Sequence, residues 1–444
     1  MNRKNISFKN IFIALSVLVL ASCSLDIDNP NGPTDEQVLN SRDGLITHSV
    51  GMRNTYSTLA LESIILNPGA TAHELRGITT FTNVIEIDQG GTALPNFNGN
   101  ITGVWQRPLR VMAMAEDIIA KAPTVLATDP AMLSGVMSHA KLFKAMTLGA
   151  LAQSFTHGVL NTDKSGSATF APRETLLATA ITLLKEADAA LTATPPSAEF
   201  TSRVTGAEFN LPNTIRAYLA RYSLMAGNYA DAIAAAQSVN LTVASSFIFT
   251  NLAPNPLYQQ IQVSKNFAAR DQFGLPPALV EAGDGRLAFY FTTNTATHQG
   301  DPIDNLTGFA TAIDKPIPVY LPDEMRLIIA EALIRSNGSI PDAIVQINAV
   351  RTQTTGDPFG VHAGLGAYMG AITTDALLTE IYKQRSAELY LSGLRLEDSR
   401  RFGRPEPPTD VNPVPMTSER SRNFYPFPLQ ERQNNINTPA DPTI

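Results

Sequence analysis

Cysteine is almost missing from this chain: 444 residues contain one, Cys23. No intramolecular disulfide can form, so stability must come from buried apolar surface. Tryptophan is equally scarce, with Trp105 alone. Basic charge is in deficit, at 33 Lys and Arg against 40 Asp and Glu, a formal net charge of -7. That argues against a nucleic-acid partner, which requires a basic surface. Beyond the N-terminus no apolar run is long enough to span a bilayer. The motifs G-x-S-x-G, H-E-x-x-H and the Walker loop are absent. The six histidines, His48, His73, His139, His157, His298 and His362, are scattered without ligand spacing. Neither a metal site nor a cofactor is expected from them.

What is present begins at the N-terminus. Arg3, Lys4 and Lys9 precede the run Ile11–Leu20, which is apolar but for Ser16. This reads as a secretory signal over residues 1–22, too short for a spanning helix. Removing it leaves 30 basic against 40 acidic side chains. Its end, Leu20-Ala21-Ser22-Cys23, matches the lipobox of bacterial lipoproteins, in which the cysteine thiol takes the lipid. Buried acyl methylenes supply membrane affinity, and more than one chain makes the anchor stable. Ser24 fits outer-membrane sorting, and Asp26 and Asp28 are compatible with surface display. The expected location is the cell outer membrane, lipid-anchored and surface-exposed, with residues 23–40 as a lipidated tether rich in Pro, Asn and Gly.

From residue 41 to 444 the pattern is one domain. At 44% hydrophobic and 16% charged, it can bury a large core. Helical spacing runs from Asp43 to Leu66 and is stopped at Pro68-Gly69. Residues 70–99 read as a long loop with β-prone Val84–Ile87. Further helices are predicted over Ile101–Ala122, around Trp105 and stopped at Pro123, over Met132–Phe155, and over Arg173–Leu191 with Pro172 in its first turn. Thr214–Asn240 reads as two helices joined at Gly227-Asn228, with small Ala220 and Ala232 where they must approach. Asp323–Arg351 repeats the idea around Gly338, and Lys141–Phe155 with Arg173–Leu191 forms a third pair. These are tetratricopeptide-like hairpins. The expected fold is all-α, a scaffold of such hairpins with long loop insertions on one side. The largest insertion spans about 241–322, too long to be structureless in a compact domain.

Asp375–Arg401 reads as a long helix bearing Leu378, Ile381, Tyr382 and Leu389 on one stripe. Arg385 falls inside that stripe, where a guanidinium needs a partner, and Glu388 one turn on can supply it. With Arg395, Asp398 and Arg401 these residues are predicted to form a structural ion-pair network. The run YKQRSAELYLSGLRLEDSRRFG resembles the C-terminal helix of the RagB/SusD family of nutrient-uptake outer-membrane lipoproteins. Asn423-Phe424-Tyr425-Pro426-Phe427-Pro428 resembles that family's closing element. Leu25–Pro30, the Trp105 helix, Phe155–Leu160 with Ala171–Thr175, and Met325–Arg351 resemble further elements in the same order.

The resemblance implies a non-catalytic protein that captures an oligosaccharide or glycan, or a peptide, and delivers it to a SusC-like TonB-dependent transporter, acting as its lid. A surface-anchored hydrolase and a helical-repeat scaffold for envelope proteins are the alternatives. Glycoside hydrolysis needs two opposed carboxylates. Glu380 with Glu388, and Glu397 with Asp398, lie in an Arg-rich helix and read as ion-pair partners. Trp105 reads as framework. Ligand contacts are expected on loops: Arg76, Phe81 and Asn96 in the first, and Tyr258, Asn266, Phe267, Arg286 and Tyr290 in the large insertion. The scarcity of Trp weakens a long-glucan ligand.

Overall fold

Ser41 caps a helix near the start of the computed structural model, which describes residues 38–163, 165–292 and 296–444. Cys23, the signal segment and the tether up to residue 37 lie outside the described residues. The Ser41 hydroxyl accepts the Gly44 N–H, satisfying an otherwise orphaned donor. Helix α1 (Arg42–Thr55) buries Leu45, Ile46, Ser49 and Met52. A π-helical turn, Tyr56–Ala60, leads into α2 (Leu61–Thr71). Pro68 does not stop this helix but sits inside it. Proline lacks the N–H that would bond the carbonyl four residues back, here Ile64. Gly393 lies against that carbonyl, so close that an added Cβ would be 2.6 Å from the Ile64 oxygen.

The segment read as a long loop contains strand β1 (Leu75–Gly77) and helix α3 (Thr82–Gln89). Val84 and Ile87 are buried on one face of α3; a run this short does not distinguish helix from strand by period. Asn98 then caps α4 (Gly99–Val125), its side chain accepting from the Asn100 and Ile101 amides. α4 carries Pro108 and Pro123 within it and so outruns the predicted stop. Helix α5 (Pro130–Ser154) is capped by Asp129 and buried on nearly every face. The pair β2 (His157–Val159) and β3 (Phe170–Pro172) precedes α6 (Arg173–Ala193), with Pro172 at the cap rather than in the first turn. Gly149 of α5 admits the Tyr222 ring to 2.0 Å from where a Cβ would lie, a close approach that only glycine permits.

Tyr222 belongs to the hairpin α7 (Leu211–Met225) and α8 (Tyr229–Gln237), which turns at Gly227 with φ +76. Ala220 and Ala232 are fully buried, as the hairpin reading requires. The insertion then supplies β4 (Ser246–Phe247), β5 (Phe267–Arg270), α9 (Gly285–Tyr290), β6 (Phe291–Thr292), β7 (Thr297–His298), β8 (Asp301–Leu306) and β9 (Ile317–Pro318). β1, β5, β8 and β6 form one antiparallel sheet in that order, with β7 beside β8. Its register sets Gly77 opposite Phe267 and Leu75 opposite Ala269. The first loop and the large insertion are therefore one hydrogen-bonded unit.

The hairpin α10 (Pro322–Arg335) and α11 (Ile340–Arg351) follows, then α12 (Thr374–Glu388), α13 (Arg395–Arg401) and α14 (Leu429–Asn434). Successive helices from α4 to α8, then α10 to α12, pack on one another. The fold is all-α, with its small sheets in the excursions between helical pairs.

The long helix predicted over Asp375–Arg401 is two. It breaks at Leu389–Leu394, where Leu391 and Gly393 adopt φ +53 and +80. The break changes the ion pairing. Arg385 meets Asp398, not Glu388, with Nε and Nη2 at 2.8 and 3.1 Å from its carboxylate. Asp398 also receives Arg401 at 2.8 Å, and Arg401 reaches Glu331. Glu388 turns to Arg286 of the insertion at 3.2 Å. Arg395 lies 4.0 Å from Glu74 and donates to the Phe273 and Ser386 carbonyls. The closing segment packs against the framework tryptophan: Phe427 and Phe155 flank Trp105, whose Nε1 donates to Glu431 at 3.1 Å.

Candidate functional site

Two hydrogen-bonded sets of amide-bearing side chains line a cleft of about 620 Å³. The first begins on the insertion. Asn266 Nδ2 donates to Gln260 Oε1 at 2.8 Å, and Gln260 Nε2 donates to Glu62 Oε2 at 3.1 Å. Arg107 Nη1 holds the other Glu62 oxygen at 2.6 Å. In the second set Asn83 Nδ2 donates to Asn100 Oδ1 at 3.1 Å, and Asn67 reaches the Asn100 carbonyl. Asn98 braces this set, donating to the Asn83 carbonyl and to Glu86. Phe81 also lines the cleft and is 59% exposed. Phe267, buried, packs inside.

Local structure fixes each group. Phe81 takes the extended backbone that precedes α3. Glu62 follows one π-helical turn, and Gln260 lies in a second, Gln259–Val263; such turns recur at functional sites. The Asn266 backbone is clamped on both sides. Its N–H donates to the Gln260 carbonyl at 2.9 Å, and its carbonyl accepts the Ile78 N–H at 3.0 Å. The sheet thus carries the cleft between the first loop and the insertion.

Of the residues proposed from sequence, Phe81, Asn266 and Phe267 come together here. Arg76 is next to them in the sheet but turned inward, paired with Asp88 and Asp301 and donating to Gln299. Burial pushes the Asp88 carboxyl up to about 6 against the pull of Arg76. Asn96 stands apart, its carbonyl accepting the Leu429 N–H. Tyr258 is half-buried in a single turn capped by Asn255 and does not line the cleft. Two expectations are corrected. Arg286 has no exposed surface and is held by Asp284 at 2.7 Å and by Glu388. Tyr290 is buried, with its hydroxyl donating to the Glu388 carbonyl at 3.1 Å. The insertion folds back onto α12, so these side chains serve the core instead of a ligand.

Sequence reasoning missed Glu62, Asn67, Asn83, Asn100, Arg107 and Gln260. Asn96, Asn98 and Asn100 alternate along the chain, an amide cluster that could have drawn attention to this cleft. Glu62, in contrast, sits mid-helix and carries no local signal.

A second cavity is lined by Tyr56, Tyr218, Tyr222, Tyr290 and Tyr390. Those five side chains are themselves buried, and among them the buried Arg221–Glu324 pair closes at 2.6 Å. The amide cleft is the better candidate, because it joins exposed aromatic surface to convergent polar groups. Amides with one aromatic face suit a hydroxyl-rich ligand. Among the described residues, Glu62 is the one carboxylate in its lining.

No family model and no curated protein matches the sequence. Solved structures do match. A SusD superfamily protein from Bacteroides thetaiotaomicron aligns with a TM-score of 0.70 at 16% identity, over 90% of this chain and 100% of that one. A SusD-like carbohydrate-binding protein from Bacteroides vulgatus aligns at 0.65 and 16%, over 91% and 96%. NanU of B. fragilis aligns at 0.66 and 13%, over 94% and 99%. The chain has the SusD-like fold, helical and built from tetratricopeptide-like hairpins.

Proposed function

We propose that this chain is a non-catalytic, lipid-anchored protein of the outer membrane that captures a glycan nutrient in the amide cleft. It hands the nutrient to a SusC-like TonB-dependent transporter, over which it closes as a lid. The observation that carries the reading is the cleft itself: a lining of amides and the exposed Phe81, assembled on a fold shared with proteins described as carbohydrate-binding. A sugar ring offers hydroxyls to such amides and a C–H face to such a ring. Hydrolysis needs a second carboxylate across the bond, and the Glu62 oxygens are already held by Arg107 and Gln260. That supports binding without turnover.

Acylation of Cys23 would keep the cleft at the membrane surface beside the transporter. The test is calorimetry with an oligosaccharide panel on the wild type and on Phe81→Ala. Binding that Phe81→Ala weakens supports the reading. A panel without a binder, or turnover of a bound sugar, overturns it. Purification from native membranes in mild detergent tests the partner: a co-purifying barrel protein supports the lid, and its absence removes it. Labelling with a radioactive fatty acid, lost in Cys23→Ser, tests the anchor.

A further inference from the structure

Arg270, at the end of β5, forms no ion pair among the described residues. Its Nη1 donates to the His73 and Met416 carbonyls, both at 3.2 Å, and its Nε is buried. Nη2 bonds to none of the described residues and keeps access to solvent. The side chain lines a cleft of about 990 Å³ that shares no residue with the amide cleft. Asp271 lines it too, half-buried, and no other described residue donates to its carboxylate. Burial pushes that carboxyl up, against the pull of Arg270. Among the described residues these two are the charged groups of the lining. Leu275, Pro276, Val280 and Met416 supply apolar surface, and no aromatic ring lines the cleft among the described residues.

The backbone that joins the charged pair to the apolar surface is strained. Gln272, Phe273 and Gly274 take φ of 50, 60 and 65 in succession. For the two that are not glycine this costs free energy, and such strain gathers where geometry serves function. Gly274 packs on the His73 carbonyl, where an added Cβ would lie 2.0 Å away. The same carbonyl holds Arg270, so turn and guanidinium share one anchor.

We propose that this cleft is a second ligand site, which reads the acetamido group of an N-acetylated amino sugar. Arg270 Nη2 donates to the amide oxygen, Asp271 accepts the amide N–H, and the methyl group rests on the apolar surface. Polarity selects the group. A carboxylate or phosphate is attracted by Arg270 but repelled by Asp271, and an ammonium group meets the reverse. A secondary amide donates and accepts at once and carries no charge. Without an aromatic face to stack on a ring, recognition falls on the substituent. That a sugar carries the amide rests on the glycan reading; the match of donor to acceptor does not.

Methyl glycosides of N-acetylglucosamine and N-acetylgalactosamine, each beside its free-amine and hydroxyl counterparts, test this by NMR titration of the purified protein. One acetamido sugar should bind about tenfold more tightly than its hydroxyl counterpart, the worth of one charge-assisted hydrogen bond. Asp271→Ala and Arg270→Met should each remove that preference, and Phe81→Ala, in the other cleft, should leave it intact. Arg270 braces two carbonyls whereas Asp271 braces none, so Asp271→Ala carries the test if Arg270→Met fails to fold. Equal binding of the three sugars, preference for the free amine, or a preference unchanged in Asp271→Ala would overturn the proposal. Tighter binding of N-acetylalanine methylamide would assign the cleft to peptides and overturn the sugar. Oligosaccharide binding that Phe81→Ala weakens but acetylation does not improve sinks this inference alone. If no sugar binds at all, the glycan reading falls and takes this inference with it.

Discussion

Arg385 grips Asp398, thirteen residues along the chain, with both carboxylate oxygens engaged and both side chains out of solvent. The pair spans the break between α12 and α13 and holds the corner shut. Removing one member of a buried pair strands the other's charge, a loss of about 3–5 kcal/mol. Asp398→Asn, which strands Arg385, should fall in that range in urea unfolding, whereas Arg385→Met should cost less because Asp398 keeps Arg401 at 2.8 Å. The double variant Arg385→Met with Asp398→Leu should recover much of the Asp398→Asn loss, since Arg385 is no longer stranded and Arg401 keeps Glu331 at 2.8 Å.

At Gly393 two costs coincide. The backbone is left-handed, and an added Cβ would press on the Ile64 carbonyl. Backbone strain alone is worth roughly 1–3 kcal/mol. Gly393→Asn separates the two, because asparagine tolerates the left-handed region yet still carries a Cβ. Thermal melts should show both Gly393→Ala and Gly393→Asn destabilised, with little relief from asparagine.

Phe81 has most of its ring in solvent. Phe81→Ala should leave the melting temperature within a degree or two of wild type, as exposed truncations usually do. Affinity for the captured sugar should drop about tenfold, the scale of losing one aromatic contact. Arg286→Met should do the reverse, lowering stability through the stranded Asp284 and Glu388 without a selective change in binding.

Glu74 provides a pH signature. Burial lifts its carboxyl from the ordinary 4.5 to about 7, against Arg395 and the Leu391 N–H. A raised carboxyl means that the folded chain holds the proton more tightly than the unfolded chain does. The contribution of this group is then fully favourable below about pH 4.5 and is lost as pH rises through 7, on the order of 3 kcal/mol in all. Glu74→Gln cannot ionise. Its stability relative to wild type should improve steadily between pH 4.5 and 7 in chemical denaturation series. A flat difference would contradict the raised value.

Much of the architecture is legible in the residues. The helical pairs follow from apolar spacing and from small Ala220 and Ala232, and Trp105 was identifiable as framework. Boundaries failed where tertiary contacts override local rules. Pro68 sits inside its helix, and the Ile64 carbonyl that it frees lies against Gly393, 325 residues away. Glu388 deserts Arg385 because a glycine turn brings Asp398 closer. The cleft was half visible. Loop residues such as Phe81 and Asn266 advertise themselves by position, whereas Glu62 becomes a site residue only when the insertion lays Gln260 beside it. No spacing along the chain encodes that meeting.

The pairing of Gly77 with Phe267 also restricts how ligand preference can be changed. Transplanting residues 70–99 from another protein, while keeping the native 241–322 stretch, would leave β5 with a mismatched neighbour and Asn266 without its Ile78 clamp. A working chimera must import both segments together, so variation in what the protein accepts has to arise by paired exchange.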